Sequence, residues 1–437
     1  MANLLIDQNQ IIGAIRPMHA MNNGPAHGPE EKRTNYQAYK KLGVPFVRNH
    51  DASLSEPYGC QHLVDIHCIF PDFSRNVDDP KSYDFTLTDE YITRLVEMGC
   101  GIFYRLGSSI EHWKMKYGTL EPKDHLKWAR VCEHIIRHYN KGWAHGFRYN
   151  IEYWEIWNEA DLDLDDAKDK RTWGGTEKSF FSFYCTAAKH LKSCFPELKI
   201  GGPALAFRLD WADRFLSLLQ SKNIPLDFFS WHMYSTAPEY YAERASEIRR
   251  MLDRHGFDNV PSILNEWNYV LDWSDPQGYI KTIRGMRGAS FYAAMMCSMQ
   301  QAGTVDMLMY YDARTGTTWN GMFDLYTLQP LKGYYPFLMF KDLYRIGRQC
   351  LCESSDPDIY AVSASDGKKC SVLITYYPTG KTVPKSKRLT VTLKKAMSFE
   401  YRLLDENHDC SPVIEMTGTG FTVTIAPYTV IELVARS

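Results

Sequence analysis

The chain of 437 residues is long for a small domain and long enough for one large barrel with a modest second domain. Hydrophobic residues make up 44% of it and aromatic residues 14%, which is sufficient for a sizeable buried core. Because 50 Lys and Arg residues are balanced by 52 Asp and Glu residues, the formal net charge is -2, which excludes the basic surface that binds nucleic acid or an anionic membrane.

The N-terminal sequence MANLLIDQNQIIGAIRP has neither the basic region nor the long apolar run of a signal peptide. No stretch of about 18 apolar residues follows it, so no membrane span is predicted. The 11 cysteines lie between Cys60 and Cys410 without a repeating spacing, which favours reduced core thiols over a disulfide framework. We expect a cytoplasmic protein as the sequence stands, or a periplasmic or secreted one if a signal peptide has been removed.

Short apolar runs alternate with longer helical patterns as far as about residue 345. The apolar runs predict eight strands, namely Ile11–His19, Val44–Asn49, Gly101–Leu106, Tyr153–Trp157, Lys199–Gly202, Asp227–Tyr234, Ser262–Asn268 and Asp306–Tyr311. Helical patterns lie between them, for example over Asp124–Tyr139, Glu177–Phe195, Trp211–Leu219, Tyr240–His255 and Gly285–Gln301. This alternation predicts an α/β fold in which residues 11–345 form a (β/α)8 TIM barrel, whose active site lies at the C-terminal ends of the strands.

From about Asp356 onward the pattern changes to short strands separated by turn-forming residues. Strands are predicted over Ile359–Ser365, Ser371–Tyr377, Leu389–Leu393, Phe399–Asp405, Phe421–Ile425 and Thr429–Ala435. Such a series is typical of an antiparallel β-sandwich, which we place at residues 346–437. A strand within residues 1–10, centred on Leu4–Ile6, is a candidate to complete this domain.

The heptapeptide YWEIWNE, residues 153–159, combines a strongly aromatic strand with two carboxylic acids and an amide. Polar side chains are costly to bury unless they are hydrogen-bonded, so this composition points to a specific use for them. Asn158 and Glu159 fall at the C-terminal end of the fourth predicted strand, and Asn265 and Glu266 fall near the end of the seventh. We therefore expect both glutamates at the same mouth of the barrel.

Two carboxyl groups across a cleft suit the hydrolysis of glycosidic bonds, because one protonates the departing oxygen while the other attacks or activates water. The stretches WEIWNEAD and ILNEW resemble the clan of retaining (β/α)8 glycosidases in which strand four ends in Asn-Glu and strand seven ends in Glu. Within that clan the chain is most similar to glycoside hydrolase family 39, the family of β-xylosidases and α-L-iduronidases. The motifs NNGP, VRNHDA and YRLGSSIEHW fit the same family, and the resemblance covers nearly the whole chain.

The resemblance implies a role for each residue at the two strand ends. Glu159 would be the general acid/base, Glu266 the nucleophile, and Asn158 the amide that holds the sugar 2-hydroxyl. The chain departs from the commoner pattern at Ala160, where many relatives carry proline. The implied function is a retaining, β-xylosidase-like hydrolase that cleaves terminal glycosidic bonds of plant- or host-derived oligosaccharides by double displacement. The alternatives left open are another sugar (an arabinoside, galactoside or uronide), transglycosylation, and an inactive carbohydrate-binding protein.

Further sugar-binding residues are predicted from their positions at the strand ends. They are Arg48 and His50 after the second strand, His232 and Tyr234 in the sixth, Trp267 beside Glu266, and Tyr311 and Trp319 near the eighth. Tyr234 is expected to donate a hydrogen bond to Glu266, and the aromatic rings to present apolar faces to a sugar. The competing interpretations are rim packing, a structural ion pair, and core positions for the aromatic residues. Glu155 is predicted to be a structural carboxylate paired with Arg48 or Arg105.

Metal and cofactor sites have less support in the sequence. Cys60, Gln61 and His62 lie near His67 and Cys68, but their irregular spacing favours reduced core thiols over zinc ligands. There is no Walker A loop, no G-x-G-x-x-G and no G-x-S-x-G motif. We therefore predict no metal and no cofactor. The expected partner is an oligosaccharide or glycoside substrate, not nucleic acid or a membrane, and a homo-oligomer is left open.

Overall fold

The computed structural model describes residues 1–25, 27–52, 62–380 and 383–435. Its strands are β1 (Ala2–Ala14), β2 (Ala20–Asn22), β3 (Phe46–Arg48), β4 (Gly101–Leu106), β5 (Tyr153–Ile156), β6 (Lys199–Leu205), β7 (Phe229–Ser235), β8 (Ser262–Tyr269), β9 (Met307–Tyr310), β10 (Arg348–Ser354), β11 (Ile359–Ser365), β12 (Cys370–Tyr376), β13 (Lys387–Leu404), β14 (Asp409–Ile425) and β15 (Val430–Ala435). Its α-helices are α1 (Tyr36–Lys41), α2 (Ile66–Ile69), α3 (Thr86–Glu97), α4 (His125–Lys141), α5 (Glu177–Cys194), α6 (Leu209–Ser221), α7 (Pro238–Arg254), α8 (Pro276–Ile283), α9 (Met286–Ala302) and α10 (Tyr335–Ile346). Short 3-10 helices cover Pro80–Ser82, Trp143–His145 and Lys332–Tyr334. In the part of the chain that the structure describes, every helix is too short or too polar to span a membrane.

The strands β2 to β9 form a closed parallel barrel in chain order. The barrel closes where β2 pairs with β9, with Ala20 opposite Met309 and Met21 opposite Tyr310. Apolar side chains fill part of its interior, a buried cluster of Ala20, Phe103, Phe228, Ile263, Met307 and Met309. The predicted (β/α)8 barrel is confirmed, and the C-terminal ends of its strands form one mouth.

The first predicted barrel strand, Ile11–His19, is wrong. Residues 11–14 belong to the long strand β1, where Ile11 lies opposite Cys350 in β10, and the barrel strand proper is β2. The apolar run was misleading because Ile12 is 47% exposed on β1, so apolar character does not mark a barrel interior there. Residues 11–14, which the prediction assigns to the barrel, therefore lie in the C-terminal sheet.

The C-terminal part is a mostly antiparallel sheet in the order β1-β10-β11-β12-β15-β13-β14. The predicted N-terminal strand does join it, since β1 pairs with β10 on one side and runs parallel to β13 on the other. That second pairing closes six of the strands into a ring, and β14 extends it as a hairpin partner of β13. Two predicted strands, Leu389–Leu393 and Phe399–Asp405, form the single strand β13, with a register shift between Thr392 and Met397. The sequence did not indicate β10.

The barrel and the C-terminal sheet share one hydrophobic core through α9. This helix is buried nearly all round, with Phe291, Tyr292 and several methionines among its buried residues. On its outer side Ser290 hydrogen-bonds with Thr375 of β12 at 2.7 Å. A helix that is apolar on all faces requires cover on all faces, and here the barrel covers one side and the sheet the other.

The helices α4 and α5, which lie before and after β5 in the chain, have well-formed caps. Asp124 caps α4 by accepting a hydrogen bond from the Lys127 amide, and Gly142 ends it in the left-handed region with φ 77°. Thr176 and Ser179 form a capping box at the start of α5. These helices pack against each other, and α5 also packs against β5, the strand that precedes the first candidate catalytic residue.

Replacing Ile6 by Ala should destabilise the protein by about 2–5 kcal/mol, because the side chain of Ile6 is fully buried in the core of the C-terminal sheet. The matched variant Ile12→Ala lies on the same strand but is 47% exposed, and we expect its effect to stay within about 0.5 kcal/mol. Urea unfolding followed by circular dichroism measures both. Equal losses in the two variants would contradict the packing of β1 against this core.

Candidate active site

The end of β5 turns the chain sharply into the mouth of the barrel. The strand stops at Ile156, and Trp157 and Glu159 then adopt left-handed backbone conformations with φ 73° and 51°. The turn is held by the Trp157 amide, which donates to the Leu106 carbonyl at 2.8 Å, and by the Glu159 amide, which donates to the Ala204 carbonyl at 2.9 Å. This turn, and not the regular alternation of a strand, therefore sets the direction of the Glu159 side chain.

Glu159 and Glu266 lie at the same mouth and close together. His232 stands between them, with its Nδ1 atom 2.7 Å from Oε1 of Glu159 and 3.4 Å from Oε2 of Glu266. A carboxylate oxygen of each glutamate and a ring nitrogen of His232 all lie within 4.8 Å of one another. The expected convergence of the two strand ends is therefore present in the fold.

Glu266 receives hydrogen bonds on both carboxylate oxygens. Arg48 donates from Nη1 to Oε1 at 2.7 Å, and Tyr234 donates its hydroxyl to Oε2 at 2.8 Å. Burial raises the pKa of Glu266 above its ordinary value, while the positive charge of Arg48 acts in the opposite direction. The two donors favour the ionised form, because a carboxylate accepts hydrogen bonds more strongly than a carboxylic acid.

Glu159 has a different environment. Burial, and after it the negative charge of Asp161, raises the pKa of Glu159 to about 8. Its hydrogen-bond partner His232 is neutral at pH 7, because burial lowers the pKa of this histidine to about 4. A protonated carboxylic acid at neutral pH is therefore expected at Glu159, next to an ionised carboxylate at Glu266.

Arg48 connects four strands from a fully buried position. Besides Glu266 it donates to Glu155 at 2.7 Å, to the side-chain oxygen of Asn158 at 2.7 Å and to that of Asn22 at 3.1 Å. Of the two partners predicted for Glu155, Arg48 is the one observed. The structural role expected for Glu155 follows from this ion pair, which compensates a fully buried charge.

The amide of Asn158 has a free donor. Its oxygen accepts the hydrogen bond from Arg48, and its Nδ2 atom is buried without a hydrogen-bond partner among the described residues. By contrast, Asn265 donates from Nδ2 to Glu155 at 2.5 Å. Asn158 thus has an N–H group without a partner among the described residues, whereas Asn265 uses its amide as a donor to Glu155.

His50 presents an N–H group to Glu266. The Nε–H group of Arg105 donates to Nδ1 of His50 at 3.2 Å, so the proton of the neutral ring is on Nε2. That atom lies 3.5 Å from Oδ1 of Asp51 and 3.8 Å from Oε1 of Glu266. Burial holds the pKa of His50 well below its ordinary value, which keeps the ring neutral.

A cavity of about 870 Å³ opens over the two glutamates. Of the predicted site residues, its lining contains Glu159, Glu266, His50, His232, Tyr234, Tyr311 and Trp319. Arg48 and Asn158 lie behind this lining, where Arg48 donates hydrogen bonds both to Glu266 and to Asn158. A cavity of this size accommodates a bound sugar together with the group attached to it.

Trp267 does not lie where the sequence analysis placed it. Its side chain is fully buried and packs against Tyr310 at 5.7 Å and against Tyr292 of α9 at 5.8 Å. The reason is the alternation of side chains along β8, which directs Glu266 into the mouth and the next residue outward against α9. The prediction that Trp267 contacts a sugar is therefore corrected to a core position.

Four further residues line the cavity although their sequence context predicted no site role: Asp51, Phe207, Trp273 and Arg314. Asp51 accepts a hydrogen bond from the hydroxyl of Tyr311 at 2.9 Å, and its main-chain carbonyl accepts one from Arg314. All four residues lie within four residues of the C-terminal end of a barrel strand, namely β3, β6, β8 and β9, so their positions carried a signal.

Two groups of side chains have the types and spacing of metal ligands in the described part of the chain. One is Glu159, His232 and Glu266, where the guanidinium of Arg48 already supplies a positive charge 2.7 Å from Glu266 and opposes a second cation. The other lies on α4 and α5 and consists of Glu133, His190 and Cys194, all partly exposed. Cys60 and Gln61, which the sequence analysis weighed as metal ligands, lie outside the described residues.

One family model and two curated relatives match large parts of this chain. Residues 4–315 match the family model described as Glycosyl hydrolases family 39. A β-xylosidase of Geobacillus stearothermophilus is 26% identical over 263 residues, which are 52% of this chain and 47% of that protein. A β-xylosidase of Caldicellulosiruptor saccharolyticus is 26% identical over 305 residues, which are 62% of this chain and 57% of that protein. The chain thus spans about half the length of the curated relatives it matches.

The fold of the whole chain also has a close counterpart among solved structures. The crystal structure of a glucosidase from Croceicoccus marinus superposes with a TM-score of 0.80 and covers 100% of this chain and 99% of its own. The sequence identity of the pair is 23%, so this likeness concerns the fold alone. It includes strands β10 to β15 of the C-terminal sheet, which lie beyond the family match.

The raised pKa of Glu159 can be tested by titration. Glu432 is a second buried carboxyl group whose pKa burial raises to about 8, so two glutamates should titrate near this pH. Carbon-13 NMR of protein labelled at the glutamate carboxyl groups should show both transitions in the parent protein. Glu159→Gln should remove one of them, and the matched variant Glu432→Gln should remove the other. If Glu159→Gln retains both, this carboxyl group is not the one that burial and Asp161 keep protonated.

Proposed function

The chain belongs to glycosyl hydrolases family 39, and from this premise we propose that it is a retaining glycoside hydrolase that cleaves terminal glycosidic bonds. The observation that carries the proposal is the pairing of Glu159 and Glu266. At one mouth of the barrel a carboxylate oxygen of Glu159 lies within 4.8 Å of one of Glu266. The environment of Glu159 favours its protonated form, and two hydrogen-bond donors favour the ionised form of Glu266. Glycosidic bond cleavage requires this combination of an acid and a base or nucleophile.

In the proposed first step Glu266 attacks the anomeric carbon and Glu159 protonates the departing oxygen. The bond between the anomeric carbon and that oxygen breaks as the ester to Glu266 forms. Water then attacks the anomeric carbon of this intermediate, Glu159 accepts its proton, and Glu266 leaves as a carboxylate. The formation of the ester removes the negative charge of Glu266, which lowers the pKa of Glu159 and makes it a base in the second step.

Three neighbours support these roles. Tyr234 and Arg48 stabilise the carboxylate of Glu266 before attack and after release, because both donate hydrogen bonds to it. Asn158 has an unused N–H group and is the proposed donor to the sugar 2-hydroxyl. Hydrogen bonds to this hydroxyl strengthen as the transition state forms, so the amide would contribute to rate as well as binding.

A β-xyloside is the substrate we propose first, because the curated relatives are β-xylosidases. Arabinosides and galactosides remain the alternatives among neutral sugars. A uronide is less favoured, since Arg314 in the cavity is already paired with Asp312 at 3.0 Å and its charge is not available to a substrate carboxylate. The proposed partner is therefore a neutral glycoside or oligosaccharide.

The direct experiment is a panel of p-nitrophenyl glycosides that includes β-xyloside, α-L-arabinoside, β-galactoside, β-glucoside and β-glucuronide. We expect turnover, with the highest kcat/KM on the β-xyloside. A higher kcat/KM on another sugar would still support hydrolase activity but would assign the enzyme a different substrate. Sugar binding by calorimetry without turnover of any member would instead favour an inactive carbohydrate-binding protein.

Substitution of the two glutamates should have different effects. Glu266→Gln should nearly abolish turnover on every substrate, because nothing replaces a lost nucleophile. Glu159→Ala should lower kcat by about 10²–10⁴-fold on a glycoside with a poor leaving group and much less on a 2,4-dinitrophenyl glycoside, which departs without a proton. Glu353→Gln, an exposed residue of β10, is the matched control and should retain full activity. Equal losses of Glu159→Ala on both substrates would contradict the acid role.

The stereochemical prediction is retention of the anomeric configuration. Retaining enzymes hold their two carboxyl groups about 5–5.5 Å apart, whereas inverting enzymes need about 6.5–9.5 Å to place a water between them. One carboxylate oxygen of Glu159 lies within 4.8 Å of one of Glu266, and this close approach supports the first arrangement. Proton NMR of the product in the first minutes of hydrolysis, before mutarotation, should detect the same anomer as the substrate. Release of the opposite anomer would exclude Glu266 as the nucleophile.

A further inference from the structure

The two ends of the cavity differ in chemistry. The loops after β3 and β9 contribute the polar residues His50, Asp51 and Arg314 close to Glu266. The loops after β4, β5 and β6 contribute the apolar residues Ile110, Leu162, Ala206 and Phe207, and with them the polar side chains of His112 and Arg171. Since β4 and β6 are the neighbours of β5 in the barrel, this apolar end lies beside the proposed acid.

Phe207 is an exposed aromatic residue on a firmly held backbone. Its side chain is exposed, with 56% of the residue surface accessible. The buried carboxylate of Asp161 accepts the amide N–H groups of Ala206 at 2.7 Å and of Phe207 and Arg208 at 2.9 Å each. The carbonyl of Phe207 in turn accepts a hydrogen bond from Arg244 at 3.1 Å. The ring is therefore presented at the cavity by a preorganised loop, which reduces the entropic cost of binding against it.

Single exposed apolar residues are common on protein surfaces and need no explanation. Phe207 differs because it lines the same cavity as Glu159, together with Leu162 and Met233. The occupant of this end follows from the proposed mechanism, since Glu159 protonates the oxygen that carries the leaving group. Whatever is attached to that oxygen must pass into the space beside Glu159.

A sugar as the leaving group would need hydrogen-bond partners for several hydroxyl groups at this end. The cationic side chains there are already engaged within the described part of the chain. Arg171 donates to Asp163 from both Nε and Nη2, and Arg244 binds the Phe207 carbonyl and lies 3.2 Å from Glu247. Apart from the exposed His112, the surface left for the leaving group is apolar and includes the exposed ring of Phe207, which suits an aromatic group better than one with many hydroxyl groups.

We propose that the leaving group of the substrate is an aromatic aglycone and that Phe207 is the surface on which it stacks. This inference rests on the proposed function and specifies the substrate class of the same site, an aryl glycoside in place of an oligosaccharide. Phe207 is then a specificity-determining residue for the group attached to the sugar, while the residues around Glu266 select the sugar itself.

The test compares three substrates that carry the sugar preferred in the glycoside panel. They are the 2-naphthyl glycoside, the glycosyl fluoride, which has no aglycone, and a disaccharide with this sugar at its non-reducing end. The parent protein should cleave the naphthyl glycoside with a kcat/KM at least tenfold above that of the disaccharide. In Phe207→Ala the ratio of kcat/KM for the naphthyl glycoside to that for the fluoride should fall at least tenfold, mainly through a higher KM.

The matched control is Tyr326→Ala, another exposed aromatic residue, 78% accessible and outside the cavity lining, which should leave this ratio unchanged. An unchanged ratio in Phe207→Ala would overturn the inference, and so would a disaccharide cleaved as fast as the naphthyl glycoside. Neither outcome contradicts the proposed hydrolase activity, because the fluoride is still turned over. Failure to turn over the fluoride in the parent protein would overturn the proposed function and the inference with it.

Discussion

The mouth of the barrel depends on one buried cation, the guanidinium of Arg48. Its hydrogen bonds reach Glu155, Glu266, Asn158 and Asn22, which lie on or beside the three strands β2, β5 and β8. Two buried carboxylates would cost several kcal/mol each without a compensating charge, and a planar guanidinium with several donors can serve both at once. Arg48 therefore positions Asn158 and Glu266, and its charge also compensates for the burial of the carboxylates.

The same cation explains why two glutamates in one cavity differ. Arg48 contacts Glu266 directly, whereas the hydrogen-bond partner of Glu159 is His232, a ring that burial keeps neutral. The pKa of Glu159 rises to about 8 because burial and Asp161 act on it without a contacting cation. The barrel thus creates an acid and a carboxylate from one residue type by the arrangement of charges around them.

The rest of the chain supports this arrangement from outside. Helix α9 fills the space between the barrel and the C-terminal sheet, and its aromatic residues cover the outward-facing Trp267 on β8. The C-terminal sheet is closed by β1, so the first residues of the chain and its last strands form one unit against the barrel. The strand that carries Glu266 is therefore packed on its outer side by residues that belong to a continuous core.

The sequence by itself determined the class of fold, the approximate strands from β3 to β9, the addition of an N-terminal strand to the C-terminal sheet, and the two Asn-Glu pairs at strand ends. These features are local, since they follow from hydrophobic periodicity and from short motifs. Only the tertiary structure decided that Ile11–Ala14 leave the barrel, that Trp267 faces the core and that Asp51, Phe207 and Arg314 line the cavity. Those outcomes depend on pairing and packing between segments distant in the chain, and local patterns do not encode which distant surface a side chain will meet.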